Sequence, residues 1–516
     1  MKMNKLSVLS IALCSSGLLT NANKSDQPNI LFVISDDQSW PYASAYGTDW
    51  VKTPGFDRVA KNGILFNNAF VTSPGSSPSR ASILTGRYPW QIEEAGTHGS
   101  SFPRKYKVLT QVLEENGYLT GFTGKPWGPG DWEVSGWKQN PVGKEFNQKK
   151  LKPPYSGISG IDYAGNFELF LQQRKTGQPF FFWFGAQEPH RNFEAGSWKK
   201  EMKDGDSPEV PGFLPVISIV KQDLLDYAVE IEWYDKQLVK IIDKLNETGE
   251  LENTLIIITG DNGMPFPRAK ANCYDAGIHV PLAISWGAKI KPGQKVDDLF
   301  SMIDLAPTIL EAAGLKFDGD IPMAGISKLK QLTSGKRQKK EYRQEILAGR
   351  ERHSSARYEN RGYPQRTIRT EKYLYIKNYH PEYWPSGDPQ VYTKDNILSE
   401  MHQAYLDIDD SPTLRYLKNT NTKEPEFLTL FLAATGKRPA EELFDIIKDP
   451  YCLNNLAGKS DYEGLRRELA ERLVTILKAT GDTRERGLNP EIWETYPRLK
   501  GEIRKFPAEI FINQIK

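Results

Sequence analysis

Cysteine is nearly missing: Cys14, Cys273 and Cys452 are the three in a chain of 516 residues. That excludes a disulfide-stapled scaffold and a cysteine-rich zinc fold. Six histidines are too few for an elaborate polyhistidine metal centre. Charge of one sign is not in excess either, since 67 basic and 65 acidic residues leave a formal net charge of +2. Nucleic-acid binding, which shows as a strongly basic domain, is not indicated. No uninterrupted membrane-length run occurs near the start, where Ser7, Ser10, Ser15, Ser16 and Gly17 break the apolar stretch Leu6–Leu19; a span needs about 20 apolar residues. What is present, 39% hydrophobic and 26% charged residues, excludes extended disorder. The length allows two or three domains at roughly 150 residues each.

Lys2 and Lys5, the stretch Leu6–Leu19 and the small residues of Thr20-Asn21-Ala22 read as a secretory signal over residues 1–22. A lipoprotein signal on Cys14 is the rival reading, and Leu13 is a poor residue before a lipidated cysteine. Cleavage after Ala22 removes two lysines and no acid, leaving basic and acidic residues equal. The expected location is periplasmic or secreted, where Cys273 and Cys452 form either one disulfide or two thiols.

Short apolar runs alternate with helical patterns, which predicts an α/β fold with a mostly parallel sheet. Strands are expected at Asn29–Ile34, Tyr118–Thr123, Phe180–Phe184, Leu255–Thr259 and Val280–Ser285. Helices are expected at Ser79–Leu84, Lys107–Asn116, Lys221–Asn246 and Asp304–Ala313. In the longest, Leu224, Tyr227, Ile231, Tyr234, Leu238, Ile241 and Leu245 recur at three- and four-residue steps. The basic run Ser334–Arg343 reads as a solvated linker. A smaller α+β domain, 336–516, is expected beyond a domain over 23–335, with β-like runs at Gln344–Ala348 and Arg366–Ile376 and a helix at Tyr462–Lys478.

Open α/β sheets bind ligands at the carboxyl ends of their strands, and polar clusters stand at those places here. Ser35-Asp36-Asp37-Gln38 follows the first strand, and Gly260-Asp261-Asn262-Gly263 follows Leu255–Thr259. Together they offer only hard oxygen ligands, suited to Ca²⁺ or Mg²⁺ rather than zinc. A single Asp-Asn-Gly after a strand is ordinarily a turn; two such ends together are stronger.

The specific signal is Ser76-Ser77-Pro78-Ser79-Arg80 followed by Leu84-Thr85-Gly86. Here the chain resembles the type I sulfatases, whose signature is Cys or Ser, any residue, Pro-Ser-Arg, then Leu-Thr-Gly. The resemblance implies an alkaline-phosphatase-like sheet sandwiched by helices, with an antiparallel sheet in the smaller C-terminal domain. It implies that Ser76 is oxidised to Cα-formylglycine by a sulfatase-maturating enzyme. The modification has a physical logic: a plain serine would be left as a stable sulfate ester, whereas a hydrated aldehyde carries a second hydroxyl whose deprotonation expels sulfate. A helix N-terminus at this point favours an anion, and Arg80 is expected to hydrogen-bond the diol.

The resemblance extends further. Asp36, Asp37, Asp261 and Asn262 fall where the family binds one Ca²⁺. Gly124-Lys125 resembles the segment whose lysine reaches the sulfate, Lys270 matches the second basic ligand, and Pro189-His190-Arg191 resembles the segment supplying a histidine acid. Glu442-Leu443-Phe444-Asp445, with Asp449-Pro450 and Asn455-Leu456-Ala457, resembles the closing motif. One departure is Trp127, standing where many relatives carry a histidine that serves as base; indole only donates, so Asp36, Asp37, another histidine such as His98, or water must take that proton, or release is slow. Asp261–Pro267 with Asn272, and Tyr363-Pro364-Gln365-Arg366, resemble the heparan N-sulfatase branch, implying a sulfated glycan as substrate. Glu351, Arg352 and His353, with His98, are candidates for the sugar subsite. Two alternatives stand beside it: a phosphatase or phosphodiesterase of the same fold using Ser76 directly, which wants two zinc ions and a histidine where Asn262 stands, and a degenerate sulfated-glycan-binding protein, which Trp127 motivates.

Overall fold

The structure, a computed structural model, describes residues 27–334, 343–420 and 424–514. The leader with Cys14, and nearly all of the basic run Ser334–Arg343, lie outside the described residues. Among those residues nine strands form one sheet, in the order β4-β3-β5-β1-β6-β7-β2-β8, with β9 also on β2. These are β1 Asn29–Ser35, β2 Ile64–Phe70, β3 Leu119–Gly124, β4 Lys144–Glu145, β5 Phe180–Gly185, β6 Thr254–Gly260, β7 His279–Ser285, β8 Gln294–Val296 and β9 Phe300–Ser301.

β1 is central, and its alternate residues enter two different cores. Ile30, Phe32 and Ile34 pack on one face, Leu31 and Val33 on the other. β5 and β6 divide in the same way: Phe181, Trp183, Leu255 and Ile257 go to the first face, Phe180, Phe182, Phe184, Ile256 and Ile258 to the second. Burial on both faces explains continuous apolar runs with no polar alternation. Helices Ser76–Thr85, Leu109–Glu115 and Leu305–Ala312 contribute to the first core, and Pro54–Lys61, Tyr163–Gln172 and Ser218–Glu247 to the second. The seven periodic residues of Ser218–Glu247 are all buried.

Five expected strands and four expected helices are present, with ends moved by one to three residues. β2 was not expected, and β7 runs antiparallel to both β6 and β2 rather than continuing the parallel order. A second sheet, fully antiparallel, joins β10 Ile346–Arg350, β11 Gln365–Arg369, β12 Tyr373–Asn378 and β13 Glu441–Asp445. The run expected over Arg366–Ile376 is therefore a hairpin, turned where Thr370 N donates to Tyr373 O at 2.8 Å. Helix Glu463–Ala479 lays Leu469, Leu473 and Leu477 on Leu347, Ile368 and Leu443. Ile346 and Ala348, on the opposite face of β10, pack into the core of the large sheet. Cys273 and Cys452 are both buried and free, which settles the choice the sequence left open in favour of two thiols. Among the described residues no helix is long and apolar enough to cross a membrane.

Candidate active site

β1, β3, β5 and β6 are mutually parallel, so their carboxyl ends share one edge of the sheet. Two antiparallel steps through β7 bring β2 back to the same direction. That edge gathers Asp36 and Asp37 after β1, Ser76 after β2, Lys125 after β3, His190 after β5, and Asp261, Asn262 and Lys270 after β6. The Gly124 preceding Lys125 has φ of 77°. A Cβ there would collide with the Gly185 carbonyl of β5, so only glycine lets β3 and its lysine approach so closely.

Ser76 is the first residue of the helix Ser76–Thr85 and only 2% exposed. Its Oγ lies 3.0 Å from Asp36 Oδ1 and 3.3 Å from Asn262 Oδ1, and accepts from Lys125 Nζ at 3.1 Å. The ten-residue helix presents its unpaired N–H end, and the associated positive field, at this point. Arg80, one turn on, is fully buried and does not reach the Ser76 hydroxyl by any hydrogen bond among the described residues. Its Nε donates to Asp261 Oδ2 at 2.8 Å and one terminal nitrogen donates to Lys125 O at 2.8 Å and Pro126 O at 3.1 Å. Arg80 thus ties the acid cluster to the loop carrying Lys125.

Asp36, Asp37 and Asp261 each bring a carboxylate oxygen within 4.8 Å of the others, all three buried. Asn262 Nδ2 donates to Asp37 Oδ1 at 2.7 Å, leaving its Oδ1 facing Ser76. Burial alone would raise the Asp36 carboxyl, but Lys125, His190 and Arg80 hold it well below the ordinary carboxylate range. Burial and the Asp36 charge push Asp261 up to about 6. Crowded oxygen donors of this kind, with no histidine or cysteine in the cluster, fit a hard divalent cation such as Ca²⁺ and do not fit zinc. The loop is fixed from behind: Asp37 sits in the left-handed region at φ 71°, and Tyr227 of the long helix donates its hydroxyl to Asp37 O at 3.0 Å.

Lys270 Nζ donates to Asp37 Oδ2 at 2.7 Å, pairs with Asp409 Oδ2 at 2.8 Å and lies 3.3 Å from His190 Nε2. His190 Nδ1 is 2.6 Å from Arg191 O, so Nδ1 carries hydrogen and Nε2 is the nitrogen turned toward Lys270. Arg191 holds this loop through a bidentate pair to Asp223, at 2.7 and 2.9 Å. Asp36, Ser76, Lys125, His190 and Lys270 border a cleft of about 670 Å³, whose wall also includes His98, His353 and Asp409. The His98 and His353 rings meet at 4.5 Å between centroids. Burial pushes His353 down to about 3 and His98 well below its ordinary range, so both imidazoles are neutral at pH 7. Trp127 does not border the cleft. It is 2% exposed, packs edge-on against Phe102, and donates Nε1 to Ser77 O at 3.1 Å, bracing the residue after Ser76.

Of the four expected sugar-subsite residues, His98 and His353 border the cleft, and Glu351 and Arg352 do not. Glu351 is buried between Arg366, at 2.6 Å, and Arg484, at 2.7 Å. Arg352 donates to the carbonyls of Tyr496 and Pro497 at 2.8 and 3.3 Å. Glu351→Ala leaves two buried guanidinium groups short of an acid and is expected to destabilise the protein by roughly 3 kcal/mol. The check is the midpoint of denaturant unfolding beside KM for the saccharide; a raised KM with an unchanged midpoint would return Glu351 to the sugar subsite. The sequence reading missed Asp409, Arg498 and Arg504, which stand in an irregular stretch and near the end of the chain with no motif around them.

Comparison with known proteins finds sulfatases. The family model described as Sulfatase matches residues 28–315, and that described as N-sulphoglucosamine sulphohydrolase, C-terminal, matches residues 268–424. An ulvan-active sulfatase of Formosa agariphila is 27% identical over 486 residues, covering 89% of this chain and 76% of its own. The N-sulphoglucosamine sulphohydrolase of Homo sapiens is 26% identical over 506 residues, covering 90% and 92%. A solved complex with D-glucosamine-2-N,6-O-disulfate as substrate superposes with a TM-score of 0.64 at 20% identity, covering 90% of this chain and 99% of the other, a likeness of fold.

Proposed function

The chain belongs to the sulfatase family and is a sulfuric ester hydrolase, and from that premise we propose that it removes sulfate from a sulfated glycan, glucosamine N-sulfate first among the candidates, at a formylglycine made from Ser76. The observation that carries the reading is the convergence of Asp36, Asn262 and Lys125 on Ser76 Oγ at a helix N-terminus. The choice of substrate class is supported by the C-terminal match over residues 268–424 and by the human relative. Formation of the aldehyde requires a maturating enzyme, and residues 1–22 direct the protein to a periplasm or the exterior. The catalytic part runs to about residue 335, with 336–516 as its smaller companion.

The hydrated aldehyde supplies two hydroxyls on one carbon, one to attack sulfur and one to release sulfate when deprotonated. A bound Ca²⁺, held by Asp36, Asp37, Asp261 and Asn262, supplies positive charge against the sulfate oxygens. Lys125 and Lys270 add point charges on the two flanks of the same anion. Both lysines already carry acid partners at 2.5 to 2.8 Å, which fixes their ammonium groups before substrate arrives. Asp36 Oδ1, 3.0 Å from Ser76 Oγ, is the nearest acceptor for a hydroxyl proton at that position. The braced Trp127 makes a degenerate binding protein unnecessary to explain its presence, and the cluster Asp36, Asp37 and Asp261 lacks the histidine ligands that a two-zinc phosphatase wants.

His190 is the leaving-group acid. Its Nδ1–H is committed to Arg191 O, so Nε2, which stands 3.3 Å from the Lys270 ammonium, is the nitrogen through which a proton would pass to the departing group. The side chain is 40% exposed, so it is open to the leaving group and to water. A sugar alkoxide or amine needs this proton on departure and an activated phenolate does not. His190→Ala is therefore expected to lower kcat/KM on the saccharide by roughly 10²- to 10⁴-fold, and on an activated aryl sulfate far less. Equal losses on both substrates would remove His190 from that role.

The reading as a whole is tested by sulfate release from defined saccharides, each carrying one sulfate at the amine or at a single ring hydroxyl. It is run alongside the mass of the peptide containing Ser76. Active protein should carry that peptide lighter by two hydrogens. Full activity with an unmodified serine would sink the formylglycine assignment.

A further inference from the structure

The cations bordering the cleft are almost all matched by acids. Lys125 has Asp36, Lys270 has Asp37 and Asp409, Arg191 has Asp223, and Arg504 has Glu502 at 3.3 Å. Arg498 is the exception: among the described residues it has no carboxylate within ion-pairing distance. One of its terminal nitrogens donates to His353 O at 3.1 Å, and its Nε is buried with no hydrogen-bond partner. A guanidinium held this way has donors to spare and an uncompensated charge.

Its backbone is not free to move away. The segment from Tyr496 to Lys505 crosses the cleft wall and is pinned repeatedly. Leu499 N donates to Gly99 O at 2.7 Å, Arg504 N to Ser355 Oγ at 3.1 Å, and Tyr392 N to Lys505 O at 2.9 Å. Gly99, at φ 73°, has no Cβ to hold the strap off. The carbonyl that anchors Arg498 belongs to His353, whose Nδ1 stands 3.0 Å from where a Cβ on Gly75 would lie, one residue before Ser76. Arg498 is thus fixed on the wall beside the reacting centre, outside the set of groups assigned to the scissile sulfate. Burial, together with the like charge of Arg504, pushes the Arg498 guanidinium below its ordinary range, with Asp407 opposing. An anion between the two arginines would relieve that repulsion.

We propose that Arg498, assisted by Arg504, forms a subsite for a second oxyanion of the substrate, carried on the sugar at Ser76 or on its neighbour. This rests on the sulfated-glycan reading and sharpens it: the preferred substrate carries at least two negative groups, the one removed and the one gripped. The chemistry of a planar fork suits a carboxylate or a sulfate alike. The cleft, at about 670 Å³, is in the size range of sites that enclose a saccharide rather than a bare anion.

The experiment measures binding in a Ser76→Ala background, so that turnover does not intervene. The three probes are glucosamine N-sulfate, the same sugar with an added 6-O-sulfate, and the N-sulfated sugar linked to a uronate. Arg498→Ala is expected to weaken at least one of the two dianionic probes by roughly tenfold or more, as for loss of a charge-assisted hydrogen bond, while the monoanion changes less than about twofold. The probe that responds identifies sulfate or carboxylate as the gripped group. Arg498→Lys, which keeps the charge without the fork, should recover part of the loss and also controls for disturbance of the strap. Equal weakening of all three probes, or of none, overturns the subsite while leaving the sulfatase reading intact. Failure of the parent Ser76→Ala protein to bind any of the three overturns the subsite and the glycan reading together.

Discussion

Ser76→Ala is expected to abolish sulfate release, by roughly 10⁶-fold as when a covalent nucleophile is deleted, while the protein still unfolds at nearly the parent's denaturant midpoint. The asymmetry follows from what the hydroxyl touches. Its Oγ is the meeting point of Asp36, Asn262 and Lys125, but those groups also hold one another: Lys125 remains on Asp36 at 2.5 Å, and Asn262 on Asp37 at 2.7 Å. Removing one oxygen from this array costs about 1 kcal/mol of folding free energy. The substitution also improves helix propensity slightly at the first position of Ser76–Thr85. Chemistry, by contrast, has no replacement. Ser77 does not take over, because its side chain accepts from Gly99 N at 3.2 Å and it is fully buried. Free sulfate measured over long incubation, with an unfolding curve on the same sample, checks both halves. Ordinary turnover by Ser76→Ala would end the mechanism.

The second large effect is expected at Asp261. Its Oδ2 accepts from Arg80 Nε and its Oδ1 from Asp37 N, so it organises the acid cluster as well as belonging to it. Asp261→Ala strands Arg80, which is fully buried, and should destabilise the protein by roughly 3–5 kcal/mol. Asp261→Asn is the cleaner variant, keeping shape and an acceptor while lowering the charge offered to a cation. Calcium should raise the parent's thermal midpoint by mass action, equivalent to about 2.7 kcal/mol at a hundredfold excess over Kd. The Asn variant should lose that response together with most of its activity. Stoichiometric zinc and no calcium in active protein would contradict the all-oxygen site.

The legible part of this molecule is the part where local chemistry and global position coincide. β1, β5 and β6 are buried on both faces, so their apolar runs announce them, and the polar residues after β1 and β6 stand where ligands bind in such sheets. The hidden part depends on partners distant in sequence. β2 reads poorly because Asn67 and Asn68 interrupt it at a bulge, where both amides bond Asp297 instead of continuing an alternation. Glu351 looks like a polar loop residue until Arg366 and Arg484 close around it. Arg80 sits in a motif that suggests contact with the nucleophile, yet its guanidinium faces Asp261 and two carbonyls. Trp127 reads as a missing base and is a brace in the core.

The strap from Tyr496 to Lys505 gives the molecule an order in time. Travelling from the amino end, a ribosome delivers the two halves of the acid cluster 224 residues apart, on β1 and β6, which then lie side by side. Asp409 joins Lys270 much later, and Arg498 arrives later still. The groups that would act on sulfur are thus all in place by Lys270, and the cation that would read the rest of the sugar comes after almost all of the sequence. A lineage could rewrite the strap without disturbing any strand of the large sheet. Selectivity and reactivity are in that sense separately inheritable, with the acid cluster constrained by the whole fold and the strap by local contacts to Gly99, Arg352, His353, Ser355 and Tyr392.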